Sequence, residues 1–166
     1  MIIRDETASD IAAIAAVTEA AFRNHPISNH TEQFIVNALR EANALSISLV
    51  AEMDGQVVGH VAFSPVTISD GSDNWYGLGP VSVLPQFQRR GIGKSLIQKG
   101  LSLLKAMGGG GCVLVGDPHY YERLGFKNIP SLVHEGIPQE VFLALPFTDK
   151  VPCGTVLFHH GFLATA

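Results

Sequence analysis

Leu78-Gly79-Pro80-Val81-Ser82-Val83-Leu84-Pro85-Gln86-Phe87-Gln88-Arg89-Arg90-Gly91-Ile92-Gly93-Lys94 is the stretch that decides the fold. The apolar run Trp75–Val83 reads as a strand stopped by Pro85, which cannot donate to a ladder. Behind it, residues 91–107 place Ile92, Leu96, Ile97, Leu101, Leu103 and Leu104 at helical spacing. The join is therefore strand, tight loop, helix start. Gly91 and Gly93 let the backbone turn sharply and approach a ligand closely. The first N–H groups of a helix lack intrahelical acceptors and sit at the positive end of its dipole, so they form an anion site. Arg89, Arg90 and Lys94 add charge on the same loop. Chemically, Gln88, Arg89, Arg90, Gly91, Ile92, Gly93 and Lys94 make a pyrophosphate cradle. Two better-known phosphate motifs fail here. A P-loop ending at Gly93-Lys94-Ser95 needs glycine where Gln88 stands, and a dinucleotide fingerprint starting at Gly91 needs glycine where Leu96 stands. The plain alternative is a glycine pair that only starts a helix.

Outward from this segment, the pattern keeps alternating between the two kinds of element. Residues 2–4 are β-like, and Thr7 with Asp10 marks a helix start before Ile11, Ile14, Val17, Ala21 and Phe22. Polar residues 23–30 end that helix at Pro26, and residues 31–45 predict a second one. Asp54-Gly55 signals a hairpin between Ile47–Met53 and a strand over residues 57–68. After the long helix, Gly108 to Gly111 terminate it, followed by a short strand at 112–115 and a short helix at 118–123. Further strands are expected at 126–129, 141–146 and 155–159. No internal repeat is present. The whole is a mixed α/β sheet in one domain, residues 1–166.

Composition agrees and excludes several classes. At ~100–200 residues per domain, 166 residues make one domain. Such a chain can bury about 70% of its surface without disulfide or metal support. Charged residues are 16%, against about 25% for an average soluble domain, which excludes a disordered chain. A net charge of −4 argues against gripping nucleic acid by bulk charge. Cys112 and Cys153 are too few for a disulfide framework. No apolar run approaches the ~18–20 residues of a membrane span. The apolar residues 11–17 follow Asp5, Glu6 and Asp10, the wrong sign for a signal peptide. The expectation is a cytoplasmic, unprocessed protein.

Gln-x-x-Gly-x-Gly after a strand ending Val-x-Val-x-Pro resembles the acetyl-CoA-binding motif of the GNAT superfamily of N-acetyltransferases. A second match lies about 30 residues downstream, in Asp117-Pro118-His119-Tyr120-Tyr121-Glu122-Arg123-Leu124-Gly125-Phe126. Its Tyr-x-x-x-Gly-Phe ending is what the superfamily shows after its fifth strand. Gly116-Asp117-Pro118 before the paired tyrosines, Gly59 through Val66, and Gly154-Thr155-Val156 resemble the YhbS-like members in particular. The likeness spans nearly the whole chain.

The resemblance implies a GNAT acyl-CoA N-acyltransferase fold: a central, mostly antiparallel sheet, helices on both faces, and fourth and fifth strands that splay apart. The pantetheine arm of acetyl-CoA lies in that gap. Backbone at Val81, Ser82 and Val83 would pair with it and polarise the thioester carbonyl, and the loop 88–94 would hold the pyrophosphate. Tyr121 would protonate the departing thiolate, or else be a core-edge aromatic beside Phe126. Tyr120 is assigned to the core. The implied reaction moves acetyl directly to a primary amine of a small molecule or protein through a tetrahedral intermediate. Some relatives carry a glutamate on the fourth strand as base, but Trp75–Val83 has no acid. His60, on the neighbouring strand, titrates in the right range and is the named candidate, against a hydrogen-bonded strand histidine or relay through water. The acceptor site is expected from residues 23–30 and the later strands. The histidines show no ligand spacing, so no metal is assigned. Expected partners are acetyl-CoA or CoA and an amine acceptor, with no nucleic acid and no membrane. The apolar surplus at Val156-Leu157-Phe158 and Phe162-Leu163 suits a homodimer contact as well as an internal one. The competing reading is a non-catalytic acyl-CoA-binding or partner-binding module of the same fold.

Overall fold

Arg4, in the first strand (β1, Ile2–Asp5), holds Asp10 by two contacts of 2.7 and 3.0 Å and Glu52 by one of 3.1 Å. Asp10 also accepts from the backbone N–H and hydroxyl of Thr7, which opens a single 3-10 turn and then α1 (Ile11–Phe22). The Arg4 guanidinium, aided by Thr7, keeps the Asp10 carboxyl well below the usual carboxylate range. The computed structural model describes all residues, Met1–Ala166.

A second helix, α2 (Glu32–Glu41), leads into the hairpin β2 (Ile47–Met53) and β3 (Gln56–Pro65). After the two-residue β4 (Thr67–Ile68) come β5 (Trp75–Val83), the long α3 (Ile92–Ala106), β6 (Gly111–Val115) and the one-turn α4 (Pro118–Tyr121). The chain closes with β7 (Leu132–Val133), β8 (Phe142–Pro146) and β9 (Gly154–Leu157). Six strands form one sheet in the order β1-β2-β3-β5-β6-β8. Every neighbouring pair in it is antiparallel except β5 with β6.

Successive strand residues point to opposite faces, so β2 sends Leu49 one way and Val50 the other. On one face Leu49, Val61, Phe63, Leu78 and Leu114 meet Ile92, Leu96, Ile97, Leu101 and Leu104 of α3. On the other, Val50 and Val57 meet Ile14 and Val17 of α1 and Val36 of α2. The long helix lies very close to the sheet. A Cβ at Gly100 would stand 2.1 Å from Phe63 Cε1, so only glycine permits this approach. The mixed sheet with helices on both faces is therefore as expected.

Several boundaries differ. The second helix stops at Glu41, short of residue 45, because Asn43 adopts a left-handed φ of 55° and the Ala44 N–H turns back to Leu39 O. The strand expected over 57–68 breaks after Pro65, and Thr67–Ile68 joins a second, three-stranded sheet of order β4-β9-β7. Residues 126–129 are not a strand: only Lys127 pairs, with Ala144. The two-residue β7, which the pattern did not show, supplies the far edge of the second sheet. Part of the C-terminal apolar surplus is internal. Val156 is fully buried, and Phe158 packs with Phe162, His134 and Phe142 at ring separations of 5.2, 5.0 and 6.4 Å. Leu157 and Leu163 remain 63% and 81% exposed.

Candidate active site

The central feature is a gap in the sheet. The parallel ladder between β5 and β6 holds only for Trp75↔Gly111, Tyr76↔Cys112 and Gly77↔Val113. Just beyond Gly77, β5 carries a bulge in which Gly79 and Pro80 oppose Ala62 of β3 alone. A bulge bends its strand and increases the local twist. β5 therefore follows β3, pairing Val61↔Val81, His60↔Ser82 and Gly59↔Val83, while its other edge parts from β6. The backbone of Val81, Ser82 and Val83 borders the opening.

At the end of β5 the chain makes a 3-10 turn at Pro85–Phe87 and enters the loop before α3. Gln88 turns its side-chain amide back, donating to Val83 O at 2.9 Å, and so fastens the loop to the strand. Arg89 and Gly91 both take left-handed φ values, 64° and 81°. Such residues curl successive N–H groups toward one side. The N–H groups of residues 89–94, six in a row, donate to no backbone acceptor, and the first α3 bond from this end is Ser95 N–H to Gly91 O at 3.0 Å. Arg89, Arg90 and Lys94 are exposed and make no ion pair. Arg90 is steadied over the Phe87 ring at 5.4 Å. Ile92, by contrast, is buried in the core and anchors the helix. The arrangement offers six amides, a helix N-terminus and three free cations to an anion, which is what a pyrophosphate requires.

Across the gap, the end of β6 leads into the paired tyrosines. Asp117 caps α4 by accepting from the His119 N–H at 3.0 Å, and Pro118 takes the first helical position. Gly125 then turns left-handed at φ 94°, and Phe126 N–H returns to Tyr121 O at 3.2 Å. This sets the Tyr121 and Phe126 rings edge to face at 6.0 Å. The Tyr121 ring also lies on Gly116, where a Cβ would stand 2.6 Å from its Cε2. Burial, with smaller contributions from Tyr120, Cys112 and Asp117, raises the Tyr121 phenol above its ordinary range, so it is protonated at neutral pH. Its hydroxyl has no partner in the protein and is not sealed away. Tyr120, assigned to the core above, is instead 42% exposed, with its hydroxyl beside Gly93. The Tyr-x-x-x-Gly-Phe motif singles out Tyr121 and carries no signal for its neighbour.

The acetyltransferase (GNAT) family model matches residues 14–126. The chain is 36% identical over 128 residues to the uncharacterized N-acetyltransferase YhbS of Escherichia coli K12, covering 76% of this chain and 74% of that one. Among solved structures, a GNAT family acetyltransferase from Brucella melitensis in complex with acetyl-CoA is 51% identical over 97% of both chains, with TM-score 0.87. The E. coli YhbS structure in complex with CoA is 32% identical, with TM-score 0.89 over 99% of this chain and 93% of that one. The chain belongs to the GNAT family of acetyltransferases. It is an N-acetyltransferase, its sheet and helices are the GNAT fold, and no helix is long and apolar enough to cross a membrane.

His60 pairs with Ser82 across the β3–β5 ladder. Its ring is 0% exposed. Nε2 is 2.8 Å from Ser48 Oγ, and the Ser48 hydroxyl in turn donates to Glu6. With that direction fixed, the ring presents Nε2–H to Ser48 and leaves Nδ1 as a bare lone pair. Nδ1 has no partner, and neither does Ser82 Oγ on the directly paired residue. Burial would raise the Glu6 carboxyl, but hydrogen bonds from Arg40, at 2.8 and 3.0 Å, and from Ser48 hold it below its ordinary value. Burial pushes His60 down to about 4, with Arg40 adding to the effect and Glu6 opposing it. The unfolded chain therefore binds this proton first as pH falls, and stability is lost from about pH 6.5 toward pH 4. The loss amounts to roughly 3 kcal/mol. Urea titrations should show that slope in the native protein and a flatter dependence across the same window in His60→Gln; equal slopes would remove His60 as its source.

Proposed function

We propose that the protein transfers acetyl from acetyl-CoA directly to a primary amine of a small molecule or protein. The observation that carries this reading is the six unpaired N–H groups of residues 89–94 at the mouth of the gap between β5 and β6. Those amides, with Arg89, Arg90 and Lys94, bind the pyrophosphate. The free edge at Val81, Ser82 and Val83 orients the pantetheine arm and directs a backbone N–H at the thioester carbonyl oxygen, a donor of a kind worth ~3 kcal/mol in well-studied sites. Acetyl-CoA, when bound, supplies the acetyl group as an activated thioester. Tyr121, held protonated by burial, donates a hydrogen bond to the sulfur as the thiolate leaves, and keeps its proton. Support also comes from the Brucella melitensis relative, whose structure holds acetyl-CoA at 51% identity.

The amine must arrive neutral. An α-amino group, near 8, loses its proton more readily than a lysine side chain, near 10.4. β5 carries no acid, and His60 is closed off from the cleft with its Nε2 committed to Ser48. We therefore assign the proton to solvent and His60 to the buried network between β2, β3 and α2. The experiment is a thiol-release assay with acetyl-CoA and a panel of peptide N-termini, lysine peptides and small amines. Release with at least one acceptor is expected. Tight CoA binding without turnover across the panel would make the protein a binding module instead.

A further inference from the structure

Three elements converge on one point at the mouth of the gap. A Cβ placed on Gly93 would stand 3.5 Å from the Tyr120 hydroxyl and 3.8 Å from Val83 Cγ2. The first turn of α3, the end of β5 and the helix α4 thus meet there, although α4 belongs to the β6 side of the gap. The Tyr120 hydroxyl has no protein partner, and its ring is fixed edge-on to Tyr121 at 4.8 Å and 86°. It stands beside an amide that is itself one of the six free donors. Burial raises its phenol, so the hydroxyl is a donor at neutral pH.

We propose that Tyr120 is a coenzyme-binding residue, its hydroxyl donating to the pyrophosphate held by the amides of residues 89–94. The cradle otherwise consists of backbone groups and long, exposed cations on the α3 side alone. Tyr120 adds a rigid donor from across the gap, so the anion ties the two parted strands together. Tyr120 and Tyr121 then divide the work: the first holds the phosphate end, the second faces the sulfur.

This inference rests on the acetyl-CoA reading above, and its test separates the two. Tyr120→Phe removes one oxygen from a half-exposed ring and leaves the packing in place. A hydrogen bond to a charged group contributes enough that the CoA dissociation constant should rise about tenfold. ADP, which carries a pyrophosphate without the pantetheine arm, should lose a similar factor as a competitor, and KM for acetyl-CoA should change more than kcat. Unchanged affinity for both ligands overturns the assignment, as does a loss for CoA with none for ADP, which would move the contact to the pantetheine. Gly91→Glu measured alongside locates the failure. If it abolishes CoA binding while Tyr120→Phe does nothing, Tyr120 alone is wrong; if neither matters, the cradle reading falls as well.

Discussion

Gly91→Glu is expected to abolish CoA binding while leaving the fold intact. Gly91 has a φ of 81°, in the left-handed region, and nothing lies within 4 Å of where its Cβ would stand. The fold therefore bears only the backbone strain of a side chain in that conformation, about 1–2 kcal/mol. The binding site bears much more. The new carboxylate would sit at the N-terminus of α3, among N–H groups that have no other acceptor, and would take their place as an internal anion. It would also repel the pyrophosphate. Like charges at about 4 Å cost roughly 1–4 kcal/mol at surface dielectrics, so a loss of ~100-fold or more is expected. Titration calorimetry against CoA gives the affinity, and the thermal midpoint shows that the chain still folds. Gly91→Ala is the control for strain, since it shares the φ without the charge, and it should lose far less. If Gly91→Glu binds CoA as the native protein does, the pyrophosphate is elsewhere.

The segment that carries this prediction was also the most legible. Pro85 and the glycine pair punctuate residues 78–94 locally, and the helical spacing after them is long enough to be unambiguous. β5 matches its expected range, and α3 differs by one residue at each end. What the chain hid was set by partners far away. Thr67–Ile68 leaves the β3 line because it pairs with Val156 and Leu157, some ninety positions later. In residues 126–129, Phe126 and Ile129 flank the polar Lys127 and Asn128, so strict alternation is missing, and side-chain amides replace the ladder there. Asn128 Nδ2 donates to Gln139 O and to Phe142 O, and Gln139 Nε2 donates to Ile129 O and Leu132 O. Asn43, the left-handed residue that ends α2, interrupts the apolar spacing on which the expected helix ran to residue 45. In the site, the motif named Tyr121 but could not orient its neighbour. On a single helical turn, adjacent side chains point about 100° apart, and only the packing on Gly116 and Phe126 decides which one faces inward. The histidine shows the same limit. Its strand was plain, whereas its burial against Ser48 and Glu6 depended on the N-terminal segment folding back beside β2.

Tyr121→Phe should lower kcat about ten- to a hundredfold while shifting CoA affinity much less. The size follows from what this hydroxyl can do. A free phenol near 10 and a thiol near 8.5 already make complete proton transfer to the thiolate unfavourable. Burial raises the Tyr121 phenol further, so the group is a poorer acid here than in water. The full acceleration of a matched general acid, 10²–10⁴-fold, is therefore not available to it. A hydrogen bond to a sulfur that gains charge as it departs remains available, and bonds to charged groups are worth about 1.5–3 kcal/mol. Because that charge develops only as the C–S bond breaks, the contribution belongs to the transition state and appears in kcat rather than in binding. The competing account makes Tyr121 a packing residue, and phenylalanine would satisfy that role fully against Gly116 and Phe126. The two accounts diverge in one measurement: a Tyr121→Phe protein with native thermal stability and native kcat would leave the ring its packing and nothing more. A raised phenol adds a second signature, since the native kcat should show no downward limb from Tyr121 ionisation until well above pH 10.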